Sequence, residues 1–240
     1  MRYAALVLLL FVALAVRLRA QDGAPPSGES LVYNVNWPSG LSLGEIQLKA
    51  AEVDGTEVDG TEGSGERWNL EFTLDAAIPG FTVADRYRSL TTSEFCSIQF
   101  DKQVSHGKKT GREQTRFDPQ AGSATRQTVD GGSSRLQTGT CARDALAFLY
   151  HLRRELAQGR LPPPQTVYFG APYQVRLEFA GRQRLTIGDE QLEADRIRAT
   201  LKGPASETVF EMFFAQDSTR RPVLIRAPLP LGLFSMELAP

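Results

Sequence analysis

The stretch from Arg67 to Ala76 constrains this chain most. Trp68, Leu70, Phe72, Leu74 and Ala76 alternate with Arg67, Asn69, Glu71, Thr73 and Asp75. A period of two, apolar on one side and polar on the other, is that of a strand with one wet face. The same period recurs along the chain. Leu31, Tyr33, Val35 and Trp37 alternate with Val32, Asn34 and Asn36, and Tyr173, Val175, Leu177 and Phe179 alternate with Gln174, Arg176 and Glu178. Further strands are expected near 81–91, 94–100, 111–117, 124–129, 184–187, 191–201, 208–215, 223–226 and 231–238, most of them separated by Gly or Pro. Between Leu41 and Ala50 the apolar register slips at Gly44-Glu45, which predicts a β-bulge.

One segment breaks the pattern. From Arg143 to Gln158, residues Ala145, Phe148, Leu149, Leu152 and Leu156 fall on one helical stripe. Asp144 suits its start, and Gly159 followed by Pro162-Pro163-Pro164 stops it. Strands therefore do not alternate with helices, which disfavours a parallel sheet with crossover helices. The expected fold is mainly β: an antiparallel curved sheet or open barrel of roughly a dozen strands. One amphipathic helix would pack on or inside it. A single domain is expected over residues 31–240, after a flexible lead, 21–30, rich in Gly, Pro and Ser.

The first twenty residues read as an export signal. Arg2 precedes a short apolar run from Ala4 to Val16, and Ala20-Gln21 is the expected cleavage junction. The run is shorter than the about 20 apolar residues of a membrane span. The expected location is the periplasm of a bacterial cell envelope. Removing Arg2, Arg17 and Arg19 lowers the basic count from 27 to 24, against 28 acidic residues. A slightly acidic chain argues against nucleic acid as a partner. Cys96 and Cys141 are the two cysteines. In an oxidising compartment a single pair is expected to bridge, although spacing alone does not bring the sulfurs together. A bond would tie the helix to the sheet.

Several motifs together resemble a known family. Tyr33, Trp37 and Gly44 sit in the first strand-turn-strand unit, and Asp85-Arg86-Tyr87 follows. The most specific piece is Asp144-Ala145-Leu146-Ala147-Phe148-Leu149-Tyr150-His151-Leu152-Arg153. Arg221-Pro222-Val223-Leu224-Ile225 and a terminal strand at Gly232 complete the set. The chain resembles the domain of unknown function 3108 family, exported bacterial envelope proteins, over most of its length after the leader. The resemblance implies export and a β-rich fold, and it supplies no catalytic residues. The shape is also similar to that of the periplasmic lipoprotein carriers, whose curved sheet and helical lid shelter acyl chains. That likeness is one of fold, which does not imply function.

Catalytic patterns are scarce. His106 and His151 are the only histidines, and no zinc pattern contains them. His106 reads as a solvated loop residue and His151 as a surface or rim residue of the helix. No nucleophile elbow, phosphate loop or dinucleotide fingerprint occurs. The repeat Glu52-Val53-Asp54-Gly55-Thr56, Glu57-Val58-Asp59-Gly60-Thr61 clusters carboxylates without the spacing of a calcium loop. It reads as a lengthened hairpin tip. No metal and no cofactor are expected. Asp85-Arg86 and Arg154-Glu155 are neighbouring charges that read as solvated faces. Arg153, Arg154, Arg182, Arg184, Arg220 and Arg221 could rim a site for acidic headgroups, or simply keep the surface soluble.

The leading expectation is a non-enzymatic binding or carrier module for a lipophilic envelope ligand: a lipid, an acyl chain or a lipoprotein. Trp37, Trp68, Phe72, Phe148, Leu152, Tyr173 and Phe179 are the candidate pocket residues. An ordinary filled core is the plainer reading of the same side chains. A structural or assembly partner within the envelope is the second expectation, and a hydrolase with a convergent polar cluster in a cleft the third. Neither a nucleic-acid partner nor a transmembrane span after the leader is expected.

Overall fold

The computed structural model describes residues 25–53, 66–78, 80–229 and 232–240. The expected leader, its Ala20–Gln21 junction and most of the carboxylate repeat lie outside the described residues. The chain opens with β1 (Glu29–Asn36), β2 (Ser42–Val53), β3 (Arg67–Ile78), β4 (Phe81–Thr92) and β5 (Ser97–His106). β6 (Lys109–Asp118), β7 (Ser123–Thr128), β8 (Ser133–Gln137) and the two-residue β9 (Arg143–Asp144) follow. Helix α1 (Ala145–Ala157) comes next. β10 (Gln165–Tyr168), β11 (Pro172–Ile187), β12 (Glu190–Lys202), β13 (Glu207–Ala215), β14 (Pro222–Leu229) and β15 (Gly232–Leu238) end the chain.

All fifteen strands form one sheet, in the order β8, β7, β6, β5, β4, β3, β2, β1, β15, β14, β13, β12, β11, β10, β9. Every neighbouring pair is antiparallel except β9 and β10, which run parallel. The last strand thus pairs with the first, with Tyr33 opposite Leu238. The curved sheet is open, because β8 and β9 are not paired with each other.

The strand count exceeds the expected dozen. β8, β9 and β10 are short and carry little alternation. β11 is one long strand where two were expected, and its register shifts between Phe179 and Arg182. β1 begins at Glu29, inside the expected flexible lead, where Gly28 N–H donates to Ala50 C=O at 3.0 Å. The predicted bulge is present: Val35 faces Gly44 while Asn36 faces Ser42. Gly44 is required there, since a Cβ would stand 2.0 Å from Asp75 O.

Helix α1 lies within the concave side, not over it. Tyr150 and Leu146 join the core of β1–β5, and Leu152 and Leu156 pack with Ile197, Ala199, Met212 and Phe214 of β12 and β13. Phe148 packs with Val167 and Val175. His151, Arg153 and Glu155 are buried as well. A helix enclosed on every side needs partners for its polar residues. The helix is therefore a plug, and the amphipathic pattern with a wet face is corrected: its polar face points into protein.

Those partners come from far along the chain. Arg153 makes a two-pronged ion pair with Glu29, at 2.6 and 2.7 Å, and donates to Thr219 C=O at 3.0 Å. Its guanidinium also lies 4.9 Å from the centre of the Tyr150 ring. Burial opposes the Arg153 charge, but the Glu29 carboxylate outweighs it and holds the pKa above the ordinary value. Asp144 caps the helix, accepting from the amides of Leu146 and Ala147. The hydroxyls of Ser89 and Ser97 donate to its other oxygen. Burial pushes the Asp144 carboxyl upward while these four donors pull it down. At the other end Gly159, at φ +75°, turns the chain out of the helix.

Candidate functional site

An apolar cavity of about 180 Å³ remains between the first turns of α1 and the sheet. Tyr33, Ile46, Leu48, Phe72 and Tyr87 line its sheet side, with Ile225 and Met236 beyond β1. Ala145, Leu146 and Leu149 form the helix side, and Phe169 reaches in from the turn between β10 and β11. No polar surface lines it. Phe72 and Tyr87 stack at 5.0 Å, and Phe169 meets Tyr87 edge-on at 5.1 Å. Aromatic walls of this kind present a flat, rigid surface to an apolar guest.

The burial pattern shows which way the cavity opens. On one side of it along the strands, Leu31, Ala50, Leu70, Ser89, Val223 and Leu238 are buried. On the other side Val35, Leu74, Ala76, Val83, Ala227 and Phe234 are partly exposed. The second half of α1 lies toward the buried side. Arg153 reaches Glu29 at the start of β1, and Arg154 donates to Ser93 and Glu94 C=O between β4 and β5. The mouth is the opposite end, where β1–β2, β3–β4, β5–β6 and β14–β15 turn.

Between cavity and mouth lies a polar cluster on β4 and β5. The Tyr87 hydroxyl donates to Asp85 Oδ2 at 2.6 Å. His106 Nε2 meets the other oxygen of Asp85 at 2.8 Å. Desolvation, and then the bond to Asp85, raise the Tyr87 pKa. One buried carboxylate thus holds a phenol and an imidazole at the edge of an apolar chamber. Next to it, Lys102 stands 4.4 Å above the Phe169 ring and 3.7 Å from Glu113. Arg126 also pairs with Glu113.

The structure disperses most of the candidate pocket residues. Phe72 lines the cavity. Trp68 is core, 6.1 Å from Phe95. Phe148 and Leu152 point to other sides of α1, and Tyr173 packs near Phe148. Phe179, at the register shift in β11, is 54% exposed. Trp37 sits at the mouth, edge-on to Phe234 at 4.9 Å. Alternation marks which side chains point inward but not at what height along the strand the helix leaves room. Ile46, Leu48 and Met236 carried the right phase, while Tyr87 stood out only within the Asp85-Arg86-Tyr87 motif and Phe169 carried no signal of its own.

The expectation for His151 is corrected, whereas His106 is exposed as expected but ends a strand instead of lying in a loop. His106 ends β5 and pairs with Asp85. His151 is buried, and burial first, then Arg143, lowers its pKa to about 4. The scattered arginines are paired: Arg153 with Glu29, Arg154 with Glu94, Arg184 with Glu193, and Arg182 and Arg220 with Asp195. Asp85 and Arg86 do not pair with each other, since Arg86 grips Asp75. Glu155 pairs with Arg160, which lowers its pKa. Among the described residues no cluster of His, Cys, Asp and Glu could hold a metal ion.

Cys96 and Cys141 form a disulfide, with their Cα atoms 4.8 Å apart. Beside it, Ser97 N–H donates to Ala142 C=O at 2.8 Å, and Asp144 N–H donates to Ser97 Oγ at 2.8 Å. The bond therefore fixes β9, and with it the start of α1, against β5. Cys96 lies just before β5 rather than on a strand face.

The family model for a protein of unknown function (DUF3108) matches residues 32–239. The chain belongs to the DUF3108 family. No curated protein is significantly similar to this DUF3108 chain. Its fold resembles that in the crystal structure of a beta-barrel-like protein of domain of unknown function DUF1849 from Brucella abortus. That likeness has a TM-score of 0.59 at 9% identity and covers 90% of this chain and 97% of the other. At that identity it shows the fold alone. Among the described residues of the DUF3108 chain, no helix is long and apolar enough to cross a membrane.

Proposed function

We propose that this protein is a non-enzymatic binding module of the bacterial cell envelope that shelters the apolar part of an amphiphile. The cavity carries the reading: about 180 Å³ with an entirely apolar lining, open toward one end of the sheet. Its size suits a ring or a short length of acyl chain. An engineered apolar cavity of about 150 Å³ stays dry and takes up benzene. Whole drug-sized ligands occupy roughly 300–1,000 Å³, so the remainder of a larger molecule would extend through the mouth. There the Tyr87–Asp85–His106 cluster would meet its polar end. The disulfide supports an oxidising compartment, and so an envelope location.

Lipid extraction and native mass spectrometry of the purified protein test the reading. An amphiphile should co-purify with the wild type and be displaced by N-phenyl-1-naphthylamine. Leu149→Trp, which fills the cavity from the helix side, should remove it without unfolding the protein. A wild-type protein that carries no amphiphile and takes up no probe would end the proposal.

A further inference from the structure

The hairpin turns at the mouth differ in chemistry from the connections at the other end. Leu41, Phe81 and Leu233 are 66%, 42% and 52% exposed, and each sits at a mouth turn. Val129 and Val209 are exposed close to the same end. Phe179 is the one other large apolar side chain exposed among the described residues. Trp37, half-buried, joins the group through Phe234.

The four central turns touch in pairs. A Cβ on Gly232 would lie 2.6 Å from Pro38, which brings the β14–β15 and β1–β2 turns together. A Cβ on Gly107 would lie 3.2 Å from the Phe81 ring, which does the same for β5–β6 and β3–β4. The β1–β2 and β3–β4 hairpins meet where Gly44 abuts Asp75 and Ala76. A continuous exposed apolar rim marks a contact surface rather than scattered surface residues.

The centre of the mouth is also poor in acids, and Asp130 and Glu207 belong to its outer turns. The central mouth turns, spanning 36–42, 78–82, 106–109 and 228–234, contain no acidic residue, and one of them carries Lys108 and Lys109. At the opposite end the connections contain Glu94, Asp118, Asp189 and Asp217, together with Arg220 and Arg221. Apolar tips with adjacent lysines, and no carboxylate to desolvate, suit the boundary between lipid headgroups and acyl chains. An indole such as that of Trp37 favours the same depth. A water-soluble acidic partner would match the lysines but leave the apolar rim uncovered.

We infer that the mouth rim docks on a lipid bilayer surface. Trp37, Leu41, Phe81 and Leu233 enter the interfacial layer, and Lys108 and Lys109 face anionic headgroups. This rests on the reading of the cavity as a lipophilic site and adds the source: the guest passes between bilayer and cavity without crossing water.

The test uses the protein as its host processes it, with the N-terminus read from the intact mass. Co-sedimentation is measured with phosphatidylcholine vesicles, with and without phosphatidylglycerol. The wild type should bind, more tightly to the anionic vesicles. Leu41→Asp combined with Phe81→Asp should weaken partitioning by roughly tenfold or more. Phe179→Asp, equally exposed but off the rim, should change nothing. Lys108→Glu with Lys109→Glu should remove the preference for phosphatidylglycerol alone. The chain has two tryptophans, and Trp68 is buried. The emission shift on binding should therefore come from Trp37 and vanish in Trp37→Phe.

Wild-type protein that stays in the supernatant overturns the inference. So does an equal loss in Phe179→Asp, or a rim that only mediates a concentration-dependent dimer. The cavity reading fails separately. Loss of vesicle binding with a retained amphiphile defeats docking alone. Vesicle binding that survives Leu149→Trp, beside a wild type carrying no amphiphile, defeats the cavity and keeps the docking.

Discussion

At the scale of the residue, the buried charges on α1 decide most. Arg153 is 1% exposed and joins Glu29 from 124 positions away. Removing one member of such a pair strands a charge in protein, at a cost of about 3–5 kcal/mol. Arg153→Met should lose stability of that order in urea unfolding. The double change Glu29→Leu with Arg153→Met should recover a large part, because no charge is then left unpaired. His151 gives a pH effect. Its folded pKa of about 4 lies below the ordinary 6.5. The unfolded chain therefore binds more protons between these values. Stability from this group is complete above pH 6.5 and is lost as pH falls toward 4. The loss is bounded at about 3 kcal/mol, at about 1.4 kcal/mol for each pH unit. Comparing wild type with His151→Gln at pH 7 and pH 4.5 isolates the term, and the variant should show a shallower decline. Equal slopes would mean that His151 takes up its proton equally in the folded and unfolded states.

At the scale of the element, the two faces of α1 predict different costs. Leu152 is fully enclosed by β12 and β13. Leu152→Ala should cost about 2–5 kcal/mol. Leu149 borders a space that is already empty, so Leu149→Ala should cost less and enlarge the cavity. Thermal unfolding of both variants, with xenon uptake for the second, checks the contrast. This helix also shows how far sequence reaches. Its stripe, its Asp144 cap and its Gly159 stop were legible because they are local: each depends on neighbours within four or five positions. Its burial was not. Tyr150, His151 and Arg153 have the composition of a wet face; Glu29 and the Thr219 carbonyl satisfy Arg153 in the interior, while the Tyr150 hydroxyl and His151 Nδ1 are buried without a hydrogen-bond partner among the described residues. Strands followed the same rule. β3 was plain because both its faces are consistent, whereas β8 to β10 are short and held by pairing and by Tyr168, whose hydroxyl donates to Gln137 C=O.

At the scale of the whole molecule, the open sheet has a seam, and the disulfide sits on it. β9 ends the strand order, eleven places from β5, yet the chain brings the two together at Ser97 and Ala142. The strand ladder does not close there: one backbone bond, from Ser97 N–H to Ala142 C=O, is supplemented by side chains, namely Cys96–Cys141, Ser97 with Asp144, and Ser89 with Asp144. The covalent link spans 45 positions. A loop of that size restricts the unfolded chain strongly, and losing such a bond costs about 2–5 kcal/mol. The loss should also be local. Asp144 caps the helix that plugs the concave side, so a loosened seam frees the first turn of α1, and that turn forms one wall of the cavity. Cys96→Ser with Cys141→Ser should lower the urea midpoint. It should speed amide exchange at Ser97 and at residues 144–149 more than in β12–β14, which pair far from the seam. Uniform acceleration across the sheet would assign the bond a purely global role. Unchanged exchange at the helix start would show that the serine–aspartate contacts hold the seam without it.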